Sequence, residues 1–169
     1  GDSLLDYVSE DLIIIEKNRP SPYVNEDFFI AEFKSKSLKT SNTNTYTSFQ
    51  AHVKKNDDSY KIHSLSGMIS FQGKSFNECK KRKKEVSNEL SEIFESAERK
   101  EGKVQDAAFD KTGDSKTIST YFFLSNGVVR VICYDTSKAL EDKFNWIDSL
   151  DIVIYTREFG NWLNNKAYK

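Results

Sequence analysis

The sequence predicts an α+β fold in which a mainly antiparallel sheet of about five to seven strands carries one long helix on one face. Three observations lead to this fold class. Residues 76–97 place apolar side chains at helical spacing. Two pairs of strand-like segments each enclose a short polar turn, which is typical of hairpins. Strands and helices do not alternate regularly along the chain, as they would in a doubly wound parallel sheet.

The first 45 residues predict a helix, two strands and a loop. Residues 2–10 form a short predicted helix that Ser3 caps. The apolar run Leu12–Glu16 predicts a buried strand, and Phe28–Lys34 predicts a second strand. Serine, threonine, asparagine and lysine dominate residues 37–45, so we expect a long polar loop there.

A first hairpin is predicted where Tyr46–Lys55 and Tyr60–Phe71 flank a polar tetrapeptide. If two aspartates form its turn, His52 faces His63 across the strands. Lysines share that strand face and no carboxylate does, which disfavours a metal ion between the two imidazoles. We therefore expect exposed histidines, and neither a metal nor another cofactor.

The clearest predicted helix covers residues 76–97. Ser75 and Glu78 have the spacing of a capping box at its start. The apolar residues of this segment form one stripe at helical spacing, and they are Phe76, Cys79, Val86, Leu90, Ile93, Phe94 and Ala97.

A second hairpin is predicted from Ser119–Leu124 and Val128–Asp135. Asn126-Gly127 between them is typical of a type I′ turn, which would pair Thr120 with Cys133. Strand alternation then places Cys133 on the sheet face that receives the long helix.

The two cysteines, Cys79 and Cys133, are therefore expected in one interior layer. Two interpretations stay open: separate buried thiols that act as small hydrophobic side chains, or a disulfide that closes a loop of about 55 residues. A catalytic thiolate is disfavoured because it needs a nearby base, and neither histidine is expected close to it. A disulfide would favour an oxidising compartment.

The C-terminal part of the chain predicts a helix over 139–146, a strand over 151–156 and a last short helix capped by Thr156. Aromatic and charged side chains are dense here, which favours either a pocket or interface or the sealed edge of the core. The candidate pocket or interface residues are Trp146, Asp148, Tyr155, Arg157, Glu158 and Trp162.

A basic run lies at the start of the long helix. Its two interpretations are a solvated helix face and a patch for an anion or a protein partner. Aromatic residues are not interleaved with the run, which disfavours nucleic acid. The residues of this candidate patch are Lys74, Lys80, Lys81, Arg82, Lys83 and Lys84.

Length and charge restrict the functional classes. The 169 residues predict one domain over positions 1–169, with a net charge of −1 that gives no general attraction to nucleic acid or anionic membranes. The longest apolar runs are four residues, so we expect no transmembrane segment. The chain begins Gly-Asp-Ser, and either a leader has been removed or Gly1 is a cloning remnant.

No recognised catalytic motif occurs in the sequence. We therefore expect a non-enzymatic binding or accessory domain, favoured to be periplasmic or secreted, with a protein as its partner if it has one. The alternative is a small hydrolase or transferase whose carboxylate-containing site forms only in three dimensions. Its first candidates are Asp135, Asp148, Arg157 and Glu158, which lie at predicted strand or helix ends.

Overall fold

The computed structural model describes residues 1–39 and 45–169. In this part of the chain, eight strands form an antiparallel sheet in the order β1-β2-β3-β8-β7-β6-β4, and β5 pairs with β6. Four α-helices accompany the sheet. The predicted α+β class is confirmed, including a long helix packed on one sheet face. Most of the predicted polar loop over 37–45 lies outside the described residues.

The strands are β1 (Phe28–Lys34), β2 (Ser48–Lys54), β3 (Ile62–Ser70), β4 (Glu98–Glu101), β5 (Gln105–Asp106), β6 (Lys116–Phe123), β7 (Gly127–Asp135) and β8 (Ser149–Thr156). The helices are α1 (Glu10–Lys17), α2 (Phe76–Ile93), α3 (Lys138–Phe144) and α4 (Arg157–Asn165). By its contacts the chain divides into two compact units, which are described separately. Unit 1 comprises residues 1–67 and 153–169, and unit 2 comprises residues 68–152. The prediction of one domain stays a prediction.

The N-terminus of unit 1 differs from the sequence-based prediction. Ser3 caps only a single 3₁₀ turn, and the predicted strand over 12–16 is instead part of α1. Ile13 and Glu16, three residues apart, are the buried positions of α1, whereas Ile14 and Ile15 are 43% and 55% exposed. The isoleucine run therefore presents one helical face to the core, and it lacks the burial on both faces that its strand assignment assumed.

The strands of unit 1 are covered on both faces. Alternate residues of β1 point to opposite sides, so Phe29, Ala31 and Phe33 join the core beneath α1. Phe28 points the other way and packs with Tyr23, Phe159, Trp162 and Ala167. This second layer seats α4 and forms the floor of the site described below.

In unit 2, α2 begins at the predicted capping box. The Ser75 hydroxyl accepts from the Glu78 backbone N–H, and the Glu78 carboxylate accepts from the Ser75 backbone N–H. The helix ends at Ile93, four residues before the predicted end. Its buried stripe packs on β6 and β7 in a core that includes Cys79, Val86, Phe122, Val129, Val131, Cys133 and Leu150.

The second hairpin is present, but its predicted register is wrong by two residues. Thr120 pairs with Val131, and Cys133 pairs with Ile118. Leu124 N–H donates to the Gly127 carbonyl, so Ser125 and Asn126 occupy the centre of the turn, where no residue has a positive φ. A shift of two residues keeps every side chain on its face, so the predicted inward position of Cys133 is unaffected.

The two cysteines form a disulfide. Cys79 on α2 and Cys133 on β7 are bonded with a Cα–Cα distance of 6.0 Å, close to the commonest separation for such bonds. Both residues are fully buried. Of the two interpretations left open by the sequence, the structure has the disulfide, and it ties the long helix to the centre of the sheet.

Within residues 1–39 and 45–169, no helix combines the length and the apolar composition needed to cross a membrane.

Candidate functional site

A groove in unit 1 runs alongside helix α4, and we call it the α4 groove. It is open to solvent and has a volume of about 680 Å³. This volume lies within the range of small-molecule sites, whereas the lining is more polar than most. Its lining residues come from the start of β1, the end of β2 and α4, and they are Asp27, Phe28, Lys54, Asn56, Glu158, Asn161, Trp162, Asn165 and Lys166.

The floor of the groove is fixed by the packing of α4. The Thr156 hydroxyl caps the helix by accepting from the Phe159 backbone N–H, as the sequence predicts. Phe159 and Trp162 lie three residues apart, so both point into the core of unit 1. The Trp162 indole N–H donates to Asn25 at 2.8 Å, and its ring lies 4.8 Å from that of Phe28. Both aromatic residues of the floor are therefore held in one orientation.

Glu158 is an ionised group at the rim of the groove. Its Oε1 lies 2.6 Å from the Lys54 ammonium, and its Oε2 lies 3.4 Å from His63 Nδ1 without the alignment of a hydrogen bond. The hydrogen bond from Lys54, with the charge of Lys54 and then of His63, lowers the pKa of Glu158. The side chain is therefore a carboxylate at neutral pH.

The prediction that the two histidines are exposed is wrong. His52 and His63 are only 9% and 8% exposed, because Phe159 of α4 packs on the first ring and Phe28 packs on the second. His52 Nε2 lies 2.9 Å from the Tyr23 hydroxyl. Burial lowers the pKa of His52 to about 4, and burial also lowers the pKa of His63. Both rings are therefore neutral core groups near pH 7.

The chemistry that the α4 groove offers is balanced polar binding. Two ammonium groups and two carboxylates line it, so their formal charges cancel, and three asparagines add amide donors and acceptors. The lining includes no serine, threonine, cysteine or histidine. The groove therefore offers carboxylates, ammonium groups and amides as its polar groups.

Two of the six predicted pocket residues, Glu158 and Trp162, meet in the groove. Tyr155 packs against Phe159 and lies close to Gly160, and Arg157 is exposed at the start of α4. Neither of these two residues lines the groove.

The other two predicted pocket residues belong to unit 2. Trp146 is 43% exposed and packs with Phe109 and Phe144, which are 42% and 50% exposed. Asp148 accepts from the Thr136 backbone N–H at 2.7 Å, while burial followed by the nearby charge of Asp135 raises its pKa. Asp148 therefore anchors a turn beside the end of β7.

The basic run is distributed around helix α2. Lys83 points inward, where its ammonium lies 3.1 Å from Glu101 and also contacts Thr120. Arg82 is paired with Glu85 and Glu89. Lys74 and Lys80 lie over the rings of Phe71 and Phe76, and Lys81 and Lys84 are exposed. The proposed anion or partner patch stays a prediction, with its charges spread around the helix.

Sequence reasoning did not identify the asparagines of the groove, and it left Asp151 of unit 2 out of the candidate pocket residues. Amides on a helix face have no distinctive spacing, so the only available signal was their position beside the predicted Glu158 and Trp162. Asp151 Oδ1 is buried without a hydrogen-bond partner, and burial raises the pKa of this carboxyl to about 6. Its place in an otherwise apolar strand was the signal that could have singled it out.

Within residues 1–39 and 45–169, no group of three or more His, Cys, Asp or Glu side chains is placed to hold a metal ion. No known protein family, no curated protein and no solved structure matches this chain.

Proposed function

We propose that this chain is a non-enzymatic binding domain and that the α4 groove is its ligand-binding site. The observation that carries the proposal is the convergence of two ammonium groups, two carboxylates and three amides in one open groove with a rigid aromatic floor. Fixed side chains lose little conformational freedom when a ligand binds, which favours affinity.

Binding is favoured over the hydrolase or transferase alternative by the state of the carboxylates. Of the candidates Asp135, Asp148, Arg157 and Glu158, only Glu158 lines the groove. Lys54 forms an ion pair with Glu158 and lowers its pKa, whereas a general acid needs a raised pKa. The ion pair with Lys54 thus supports a binding role for Glu158 over the role of a general acid.

We also propose that the protein works in an oxidising compartment, in the periplasm or outside the cell. The buried Cys79–Cys133 disulfide supports this location, because such bonds form and persist where thiols are not kept reduced. Alkylating the native protein during lysis and analysing its non-reduced peptides by mass spectrometry tests it. Alkylated thiols at both positions would reject the location.

The groove proposal is tested by NMR titration of the ¹⁵N-labelled chain with a library of small polar compounds. We expect ligands to shift the Trp162 indole N–H resonance and the backbone resonances of α4. We expect Asn161→Ala to lower the affinity of the protein for those ligands. Asn164→Ala is the matched control, because Asn164 is an exposed amide of the same helix that does not line the groove. Ligands that bind elsewhere, or that respond equally to both variants, would reject the groove as the site.

A further inference from the structure

We infer that the ligand of the α4 groove is a neutral oligosaccharide with at least two sugar rings lying along the helix. This inference rests on the proposed function, because it names the ligand class of the same site.

The charges of the groove disfavour an ionic ligand. Lys54 and Glu158 are 2.6 Å apart and neutralise each other, which leaves one exposed carboxylate, Asp27, and one exposed ammonium, Lys166. A ligand that carries charge of one sign would be repelled by one of these two groups and attracted by the other. A neutral ligand experiences no charge repulsion and can still hydrogen-bond to Asp27 and Lys166.

The amides favour a ligand that is rich in hydroxyl groups. Each asparagine side chain has a carbonyl acceptor and two N–H donors, and each hydroxyl both donates and accepts, so the two groups can exchange hydrogen bonds in either direction. Asn56, Asn161 and Asn165 are all exposed in the groove. Asn165 already donates one N–H to the Asn161 backbone carbonyl, which orients its side chain along the helix.

The floor disfavours a mainly apolar ligand. Phe28 and Trp162 are 3% and 4% exposed, so they offer little of their surface to the groove. The two rings themselves can bury little further surface against a ligand, and the other apolar atoms that line the groove belong to polar side chains. Affinity must come largely from hydrogen bonds.

The length of the groove favours more than one sugar ring. Glu158, Asn161 and Asn165 lie on one face of α4 and cover about 10 Å along its axis at 1.5 Å per residue. This distance exceeds the length of one pyranose ring, and the groove is open to solvent.

The experiment titrates the full chain with maltoheptaose, cellohexaose and chitohexaose, and in parallel with oligogalacturonate and trialanine as acidic and zwitterionic probes. Binding is followed by NMR at the Trp162 indole and the asparagine side-chain amides. At least one neutral oligosaccharide should bind more tightly than either charged probe. Asn161→Ala and Asn165→Ala should each weaken it by up to about tenfold, the upper end of the value of one hydrogen bond, whereas Asn164→Ala should change it by less than about twofold.

Charge provides the second readout. Affinity for the neutral oligosaccharide should change by less than about twofold with added salt, because no ionic contact is involved. Tighter, salt-sensitive binding of oligogalacturonate, or preference for trialanine, would overturn the oligosaccharide inference and leave the groove as the binding site. Failure of every probe to shift a groove resonance would overturn the inference, while a library compound that binds there would still uphold the proposed function.

Discussion

Breaking the Cys79–Cys133 bond should remove about 4 kcal/mol from the free energy of unfolding. The bond joins residues 54 positions apart, and closing a loop of that length lowers the entropy of the unfolded chain by about 14 cal/mol/K. At 25 °C this corresponds to about 4 kcal/mol. The bond lies between α2 and β7 in the buried core of unit 2, so we expect the loss to be seen when that unit unfolds.

The assay compares the oxidised and the fully reduced chain in urea. The same sequence serves as its own control, because only the covalent bond differs between the two samples. With a urea slope of about 2 kcal/mol/M, the transition midpoint should fall by about 2 M. The double variant Cys79→Ala with Cys133→Ala should lose more than the reduced chain, since it also removes buried sulfur atoms from the core.

Two results would refute this reasoning. One is a midpoint that moves by less than about 0.5 M on complete reduction, which would mean that the bond constrains little of the unfolded chain. The other is rapid alkylation of both cysteines in the unreduced, folded protein, which would mean that no bond is present.

Three further predictions concern buried polar groups. Burial raises the pKa of Asp151 from 3.8 to about 6, so the folded state loses stability as the pH rises from 3.8 through 6. Asp151→Asn should therefore increase the free energy of unfolding by up to about 3 kcal/mol at pH 7 and leave it unchanged near pH 3. Urea unfolding at both pH values will show this. Burial lowers the pKa of His52 from 6.5 to about 4, so the folded state loses about 3 kcal/mol of stability as the pH falls from 6.5 through 4. An NMR titration of the His52 ring with a midpoint above 6 would contradict this prediction. Lys83→Ala should cost about 2 kcal/mol because it removes a buried side chain together with its hydrogen bonds to Glu101 and Thr120, although Glu101 keeps its contacts with Arg99 and Thr120. Lys84→Ala, which alters an exposed neighbour, should cost less than about 0.5 kcal/mol in the same unfolding assay.

Local signals predicted the elements that depend on local interactions. The capping box of Ser75 and Glu78, the apolar stripe of α2 and the Thr156 cap of α4 each lie within a few residues of sequence, and all are present in the structure. The second hairpin was also found, but its register was placed from Asn126-Gly127 alone. Each side chain of the hairpin was still assigned to the correct face of the sheet, because strand alternation repeats every two residues and the register error was two residues. The cysteine pair was therefore located correctly.

Features that depend on distant parts of the chain were not predicted. The isoleucines of α1 have strand propensity, but they form a helix that packs on the core beside β1, with Ile13 buried and Ile14 exposed. The histidines were expected in solvent because the hairpin was considered without α4, which covers one of them from the far end of the sequence. For the same reason Glu158 and Trp162 were singled out as candidates, whereas their groove neighbours from β1 and β2 were not.

The placement of the two tryptophans has a practical consequence. Trp162 is buried in unit 1, and Trp146 is nearly half exposed in unit 2, so each unit contains one indole in a distinct environment, which can be excited selectively over the tyrosines. Replacing either indole with phenylalanine leaves an emission signal from the other half alone. Coincident denaturation curves from these two single-tryptophan proteins would identify one cooperative body, and separated curves would identify two that melt independently.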